Sequence, residues 1–327
     1  MAVINYHQFK EQSRIRIQET DGGAGKLTLL FTGVSVGLSL ATVGLNLFLS
    51  EQISGTGGLS GLGARSVLQT IQTLLSYFNT LFSPFWQAGF LFAMISTARG
   101  QNPVPGHMTR GVQRFGSVAG YALWQMLITM GLGFVLMYAA SFLFLLTPYG
   151  TEFLDLIYPM MEDGTLVLAD GTINIEALPM DTMMPMMVPM LIIYGVMMIP
   201  AYVYVSYHLR MTSFLLLEGP RRSAFASMLV SAKMMKGHKM QMLKMDLSFW
   251  WYYLLEGLLT VVLWADVLLP ALGITLPVDG NTAYFLALGV YGVLAIALHL
   301  WKKPYVDVAY MYAYDAIYQE FAAQHIR

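Results

Sequence analysis

The residue best placed to do chemistry is Glu256, set in the apolar run "LSFWWYYLLEGLLTVV" at residues 247–262. A charged group inside a bilayer costs at least about 2.5 kcal/mol on insertion scales, so an acid there is held for a cavity or a partner. Tyr252 and Thr260 stand one helical turn on either side, within hydrogen-bonding reach of the carboxylate. Counted from Leu247, Glu256 lies roughly 15 Å into a helix, near the bilayer middle. Two readings follow: a proton- or cation-coupled site, or an acid that joins helices by hydrogen bonds. Asp266, towards the far end of the same run, completes this intramembrane polar set.

A second pattern precedes Pro84. Gln69, Gln72, Thr73, Ser76, Asn79 and Ser83 recur at three- or four-residue intervals and draw one polar stripe on a helix. Such a stripe lines a water-filled path, or else marks an amphipathic segment on the outer surface. The stretch from Pro84 to Arg99 is only roughly 21 Å long, too short to cross alone, so part of the stripe is expected inside the membrane.

The run "MDTMMPMMVPM", residues 180–190, gathers thioethers at Met183, Met184, Met186, Met187 and Met190. Thioethers are soft ligands suited to Cu(I). The chain holds 24 methionines, however, and methionine also packs irregular gaps, so packing competes with copper. No other metal or cofactor is expected. His107, His208, His238 and His299 show no ligand spacing, and no HExxH, GxSxG or P-loop run is present. With no cysteine, disulfides, thiolate metal sites and cysteine nucleophiles are excluded. Catalysis has no visible constellation, so the chain reads as not an enzyme.

The elements that must position these residues are set by composition. Of 327 residues, 56% are hydrophobic and only 11% charged, against about 25% charged in soluble domains. With a mean hydropathy of +0.57, the fold class is an all-α, polytopic helical membrane protein. Six spans are expected: Leu27–Leu49, one ending at Ala98, Val118–Leu146, about Met186–Leu209, Leu247–Leu269 and Tyr284–Trp301. Residues 1–26 then form an N-terminal segment, 27–301 the membrane domain, and 302–327 a juxtamembrane helix. On that last helix Tyr310, Tyr314, Ile317, Tyr318 and Phe321 share one face, which can dock on the bundle or on a partner. Gly33, Gly37 and Ala41 have the small-xxx-small spacing of close helix packing, within the chain or in a homo-oligomer.

Charge placement orients the bundle. Every Lys and Arg except Arg65 falls on the side that holds both termini, whereas the loop 147–183 carries seven acids and no base. By the positive-inside rule both termini are cytoplasmic. The connector 221–246 bears Arg221 and Arg222, then Lys233, Lys236, Lys239 and Lys244 on one arc and methionines on another. It is expected to lie on the inner leaflet, with its cations on anionic headgroups and Met234, Met235, Met242 and Met245 dipped into the acyl boundary. This basic stretch is a topology and lipid signal and not a nucleic-acid site. Asp246 is expected to cap the fifth span by accepting backbone N–H bonds.

The run "SAKMMKGHKMQMLKMDLSFWWYYLLEGLL", followed after the sixth span by "KKPYVDVAYMYAYDAIY", resembles a bacterial family of six-span integral membrane proteins, domain of unknown function 975. Its marks match here Met235–Lys239, Leu247–Phe249 with a Trp, and Pro304–Tyr305, with the "ARGQNPVPG" turn at 98–106 in addition. The resemblance implies the six-span topology in a bacterial plasma membrane and no assigned reaction or cofactor. The residues point to a transporter or exporter component with a polar intramembrane path. The alternative is a non-catalytic partner or scaffold, for immunity or envelope maintenance, acting through the basic loop and aromatic tail.

Overall fold

The computed structural model describes residues 5–55, 61–165, 179–218, 223–262 and 280–325, all helix and short connections with no strand among them. Helices are what such apolar runs must form, because only there does each spanning segment satisfy its own backbone groups. Five described helices are long and apolar enough to cross a membrane: Gly23–Leu45, Thr80–Ala98, Phe115–Leu145, Pro185–Glu218 and Tyr284–Gln324. The expected fifth span begins as the helix Trp250–Val262, and the rest of it lies outside the described residues.

The chain divides into two compact units, Met1–Ala122 with Arg210–Arg327, and Leu123–Leu209. The first contains α1 (Tyr6–Gln18), α2 (Gly23–Gly55), α3 (Gly61–Ala98), α4 (Arg110–Gln113) and the start of α5 (Phe115–Leu145). It also contains α8 (Thr212–Glu218), α9 (Ala224–Met234), α10 (Lys239–Ser248), α11 (Trp250–Val262) and α12 (Gly280–His325). Local chemistry sets the ends. Asn5 accepts from the Gln8 amide to cap α1, and Ser223 accepts from Ala226 to cap α9. Gly100, at φ +78°, ends α3 as Gly100 N–H donates to Thr97 O and Gln101 N–H to Ser96 O.

Two expectations change here. The juxtamembrane segment from 302 is not a separate helix: α12 runs unbroken for 46 residues, roughly 69 Å, with Pro304 inside it. It continues because its second half is wrapped by protein, with Val308, Ala309, Met311, Ala313 and Ile317 fully buried and Tyr314 nearly so. Nor do the connector methionines dip into lipid. Met234, Met235, Met242 and Met245 are buried with Met211, Leu215, Leu217 and Phe249 in a protein core, and only Met240 of that stretch is strongly exposed, at 63%. Burial inside protein removes these side chains from water as fully as lipid would, and it adds specific packing. The connector is therefore part of a packed cap at the basic end of the first unit.

Backbones meet where glycine allows it. A Cβ on Gly89 would lie 2.0 Å from Met108 O, and one on Gly111 2.0 Å from Phe85 O, so α3 and the 3-10 turn Pro105–Thr109 with α4 touch main chain to main chain.

The second unit holds the rest of α5, α6 (Pro148–Glu162) and α7 (Met180–Leu209). The stretch expected as an acidic loop starts as a helix: Thr147 caps α6 by accepting from Gly150 N–H at 3.2 Å, and Phe153 stacks edge-on against Phe144. Glu152, Asp155 and Glu162 are exposed on it.

Candidate functional site

Glu256 is not a lone acid. In the first unit its Oε1 accepts from Tyr252 Oη at 2.7 Å and lies 2.7 Å from His299 Nε2. His299 Nδ1 in turn lies 3.0 Å from Thr32 Oγ1, giving a chain from α2 through α12 to α11. With the ring neutral, Nε2–H donates to Glu256 and Nδ1 accepts from Thr32. With the ring protonated, both nitrogens donate and the threonine hydroxyl turns to accept. The arrangement therefore admits a proton on the imidazole without breaking a hydrogen bond.

Helix spacing produces this cluster. His299, Lys303 and Asp307 follow one another every four residues and share a face of α12, as Tyr252 and Glu256 share one of α11. The α12 face looks into a cavity of about 540 Å³, lined by Glu256, His299, Lys303, Asp307, Arg210 and Ser213 with three tyrosines, Tyr252, Tyr253 and Tyr310. Asp307 Oδ2 is buried there without a hydrogen-bond partner, and Lys303 Nζ stands 3.6 Å away. A buried carboxylate oxygen left without a donor is costly, so the site favours whatever brings one.

A second chain borders the same cavity. Arg210 grips Asp246 with both terminal nitrogens, at 2.9 and 2.7 Å. Tyr310 Oη donates to the same carboxylate and meets Tyr253 Oη at 2.6 Å, while the guanidinium lies over the Tyr310 ring. Asp246 is thus no cap of the fifth span. It sits inside α10, the chain bends at Phe249, and α11 starts at Trp250. A planar guanidinium offering two parallel donors outcompetes free backbone amides for the carboxylate. Glu256 lies six residues, roughly 9 Å, into α11 and pairs with a histidine four residues from Lys303.

Two further ion pairs brace this end. Arg99 bridges Glu218 and Asp315, each at 2.9 Å. Lys10 donates to Ser248 O at 2.6 Å over the Phe249 ring, and burial pushes its ammonium below the usual lysine range.

The other expected residues fall elsewhere. Thr260 donates to the Glu256 backbone carbonyl and not to the carboxylate, and Asp266 lies outside the described residues. None of the described stripe residues lines the Glu256 cavity. Gln69 and Thr73 are exposed, Gln72 is half-buried, the side chains of Ser76 and Asn79 lie outside the described residues, and Ser83 lines a different cavity. Lys233, Lys236 and Lys244 are exposed and Lys239 half-buried, whereas Arg221 and Arg222 lie outside the described residues. In the second unit Met183 and Met190 are buried on α7, Met186 and Met187 are half-buried, and the Met184 side chain is not among those described. Their seven-residue spacing with burial is that of packing. Among the described residues no group of three or more His, Asp or Glu could hold a metal.

His299, Thr32, Arg210 and Asp307 were missed as site residues. The four-residue rhythm His299–Lys303–Asp307 was readable on the sixth span, but nothing in the sequence aligned it with Glu256.

A family profile described as protein of unknown function (DUF975) matches residues 18–320. No curated protein and no solved structure matches the chain.

Proposed function

Since the chain belongs to the family of protein of unknown function (DUF975), which carries no assigned reaction, its activity must come from the site, and we propose that it is a plasma-membrane transporter component. The single observation behind this reading is the cavity of about 540 Å³ where Glu256, His299 and the Lys303–Asp307 ion pair meet. Its size suits a small solute. A solute with a hydrogen-bond-donating cation, such as an amine, would supply the close donor that Asp307 Oδ2 lacks beyond its 3.6 Å ion pair with Lys303. Exchange of a proton on the Glu256–His299 pair couples binding to pH, as intramembrane acid–histidine pairs do in pumps and transporters. No bond is made or broken in the solute, so the role is not enzymatic.

Under the positive-inside rule the basic end faces the cytoplasm, both termini with it, and the cavity wall carries Arg210 and Lys303 from that end. The exposed Lys233, Lys236 and Lys244 then face anionic headgroups. The partner-protein reading loses part of its aromatic face: Tyr310, Tyr314 and Ile317 are buried within the chain itself, while Tyr318 is exposed and Phe321 half-buried.

The absence of cysteine makes the test direct. Ser213→Cys, in the cavity wall, should react with a charged methanethiosulfonate reagent in inside-out vesicles and resist it in right-side-out vesicles. In proteoliposomes, a panel of small amines should evoke a pH change that Glu256→Gln and His299→Gln abolish while the protein stays folded. A cysteine at 213 shielded from both sides, or a pH response unchanged in Glu256→Gln, overturns the proposal.

A further inference from the structure

The chain has a second cavity in the same unit, of about 200 Å³, between α2 and α3. Its polar lining is Ser35, Ser39, Ser83 and Gln87, and its aromatic lining is Phe31, Phe82 and Trp86. The hydroxyls of Ser35 and Ser39 donate to the backbone oxygens of Phe31 and Ser35, and Gln87 Nε2 donates to Ser83 Oγ. With their hydrogens committed, the Ser35 and Ser39 oxygens present acceptors, and the Gln87 carbonyl adds another. The cavity therefore asks for hydrogen-bond donors, the same demand that the buried Asp307 oxygen makes in the larger one.

The two cavities are divided by stacked rings. Phe82 stacks on Trp86 at 5.7 Å, Trp86 on Phe31 at 6.3 Å, and Phe31 on Phe90 at 4.3 Å. Trp86 Nε1–H donates to Phe31 O at 3.1 Å, which fixes the indole. On the other side of the Phe31–Phe90 pair stands Lys303 of the larger cavity, its Nζ 5.7 and 5.6 Å from the two ring centres. Thr32, next in sequence to Phe31, holds His299.

We propose that the α2–α3 cavity is a second binding station for the same hydrogen-bond-donating cation, one step deeper than the Glu256 cavity, and that Phe31 is the partition between them. This deepens the transport reading and rests on it. Phe31 suits the role because it lines the small cavity, is only 8% exposed, and has Lys303, which lines the larger cavity, 5.7 Å from its ring centre. Lys303, poised over the ring, adds a like charge that a cation must displace.

The test uses single cysteines in the full chain. From the basic side, a charged methanethiosulfonate reagent should modify Ser35→Cys slowly. Combining it with Phe31→Ala should raise that rate by about tenfold or more, the effect expected when a closing barrier is removed. Phe31→Val, a smaller truncation, should give an intermediate rise and serves if the alanine variant fails to fold. Ser213→Cys should label equally fast in each background. A Ser35→Cys rate unchanged by Phe31→Ala and by Phe31→Val, with Ser213→Cys still reactive, refutes the partition and leaves the transport reading standing. Shielding of Ser213→Cys refutes both. If Ser35→Cys reacts only with a membrane-permeant maleimide, never with the charged reagent, the groove holds lipid chains and the second station is wrong.

Discussion

Asp246→Asn separates two accounts of one carboxylate. If Asp246 were a helix cap, asparagine would serve nearly as well, since the two cap alike, and stability would hold within about 0.5 kcal/mol. The structure instead gives Asp246 two charge-assisted bonds from Arg210, at 2.9 and 2.7 Å, and a third from Tyr310. Asparagine keeps one acceptor, turns an amide donor towards the guanidinium, and leaves the arginine charge without its counter-ion. Removing one partner of a fully buried pair costs about 3–5 kcal/mol. Here the side chains are 25% and 17% exposed, so water recovers part of that and the expected loss is roughly 2–3 kcal/mol. In detergent the melting temperature should fall by about 4–6 °C at roughly 2 °C per kcal/mol. A double-mutant cycle with Arg210→Met should return a coupling of about 1–3 kcal/mol, against near zero for a cap. An Asp246→Asn protein as stable as the parent would refute the ion-pair account.

Three other outcomes test the packing that supports the site. Gly111→Ala should prevent recovery of folded protein or cost more than about 3 kcal/mol, because its methyl would meet a backbone oxygen that cannot move aside. Gly116→Ala, with nothing within 4 Å, should behave as wild type by size-exclusion chromatography. Met242→Ala should cost about 2–5 kcal/mol and Met240→Ala under about 0.5, since the first is fully buried and the second 63% exposed. Equal small effects would return the methionines to the lipid. Arg99→Met leaves Glu218 and Asp315 without their shared cation. The arginine side chain is 47% exposed, so a loss of only about 1 kcal/mol is expected, shrinking further in high salt as thermal unfolding in a salt series would show.

The sequence by itself determined the fold class, the helical content, the segregation of charge and the standing of Glu256 as a residue needing a partner. Each of these follows from local quantities: run length, helical period, and the cost of a charge in an apolar segment. It could not show that the partner is His299, because 43 residues separate them and no periodicity relates positions on different helices. The same blindness made the connector methionines look lipid-bound. An amphipathic stretch shows the same pattern whether its apolar face meets acyl chains or another helix, and here α12 supplies the rest of the core. It also hid Arg210 from Asp246, leaving a cap as the nearest local use for that acid. Only tertiary packing decided which stripes meet, since that depends on helix order, tilt and close backbone approaches such as Gly89 on Met108. Those contacts bring Thr32, Glu256 and His299 together from three helices far apart in the chain.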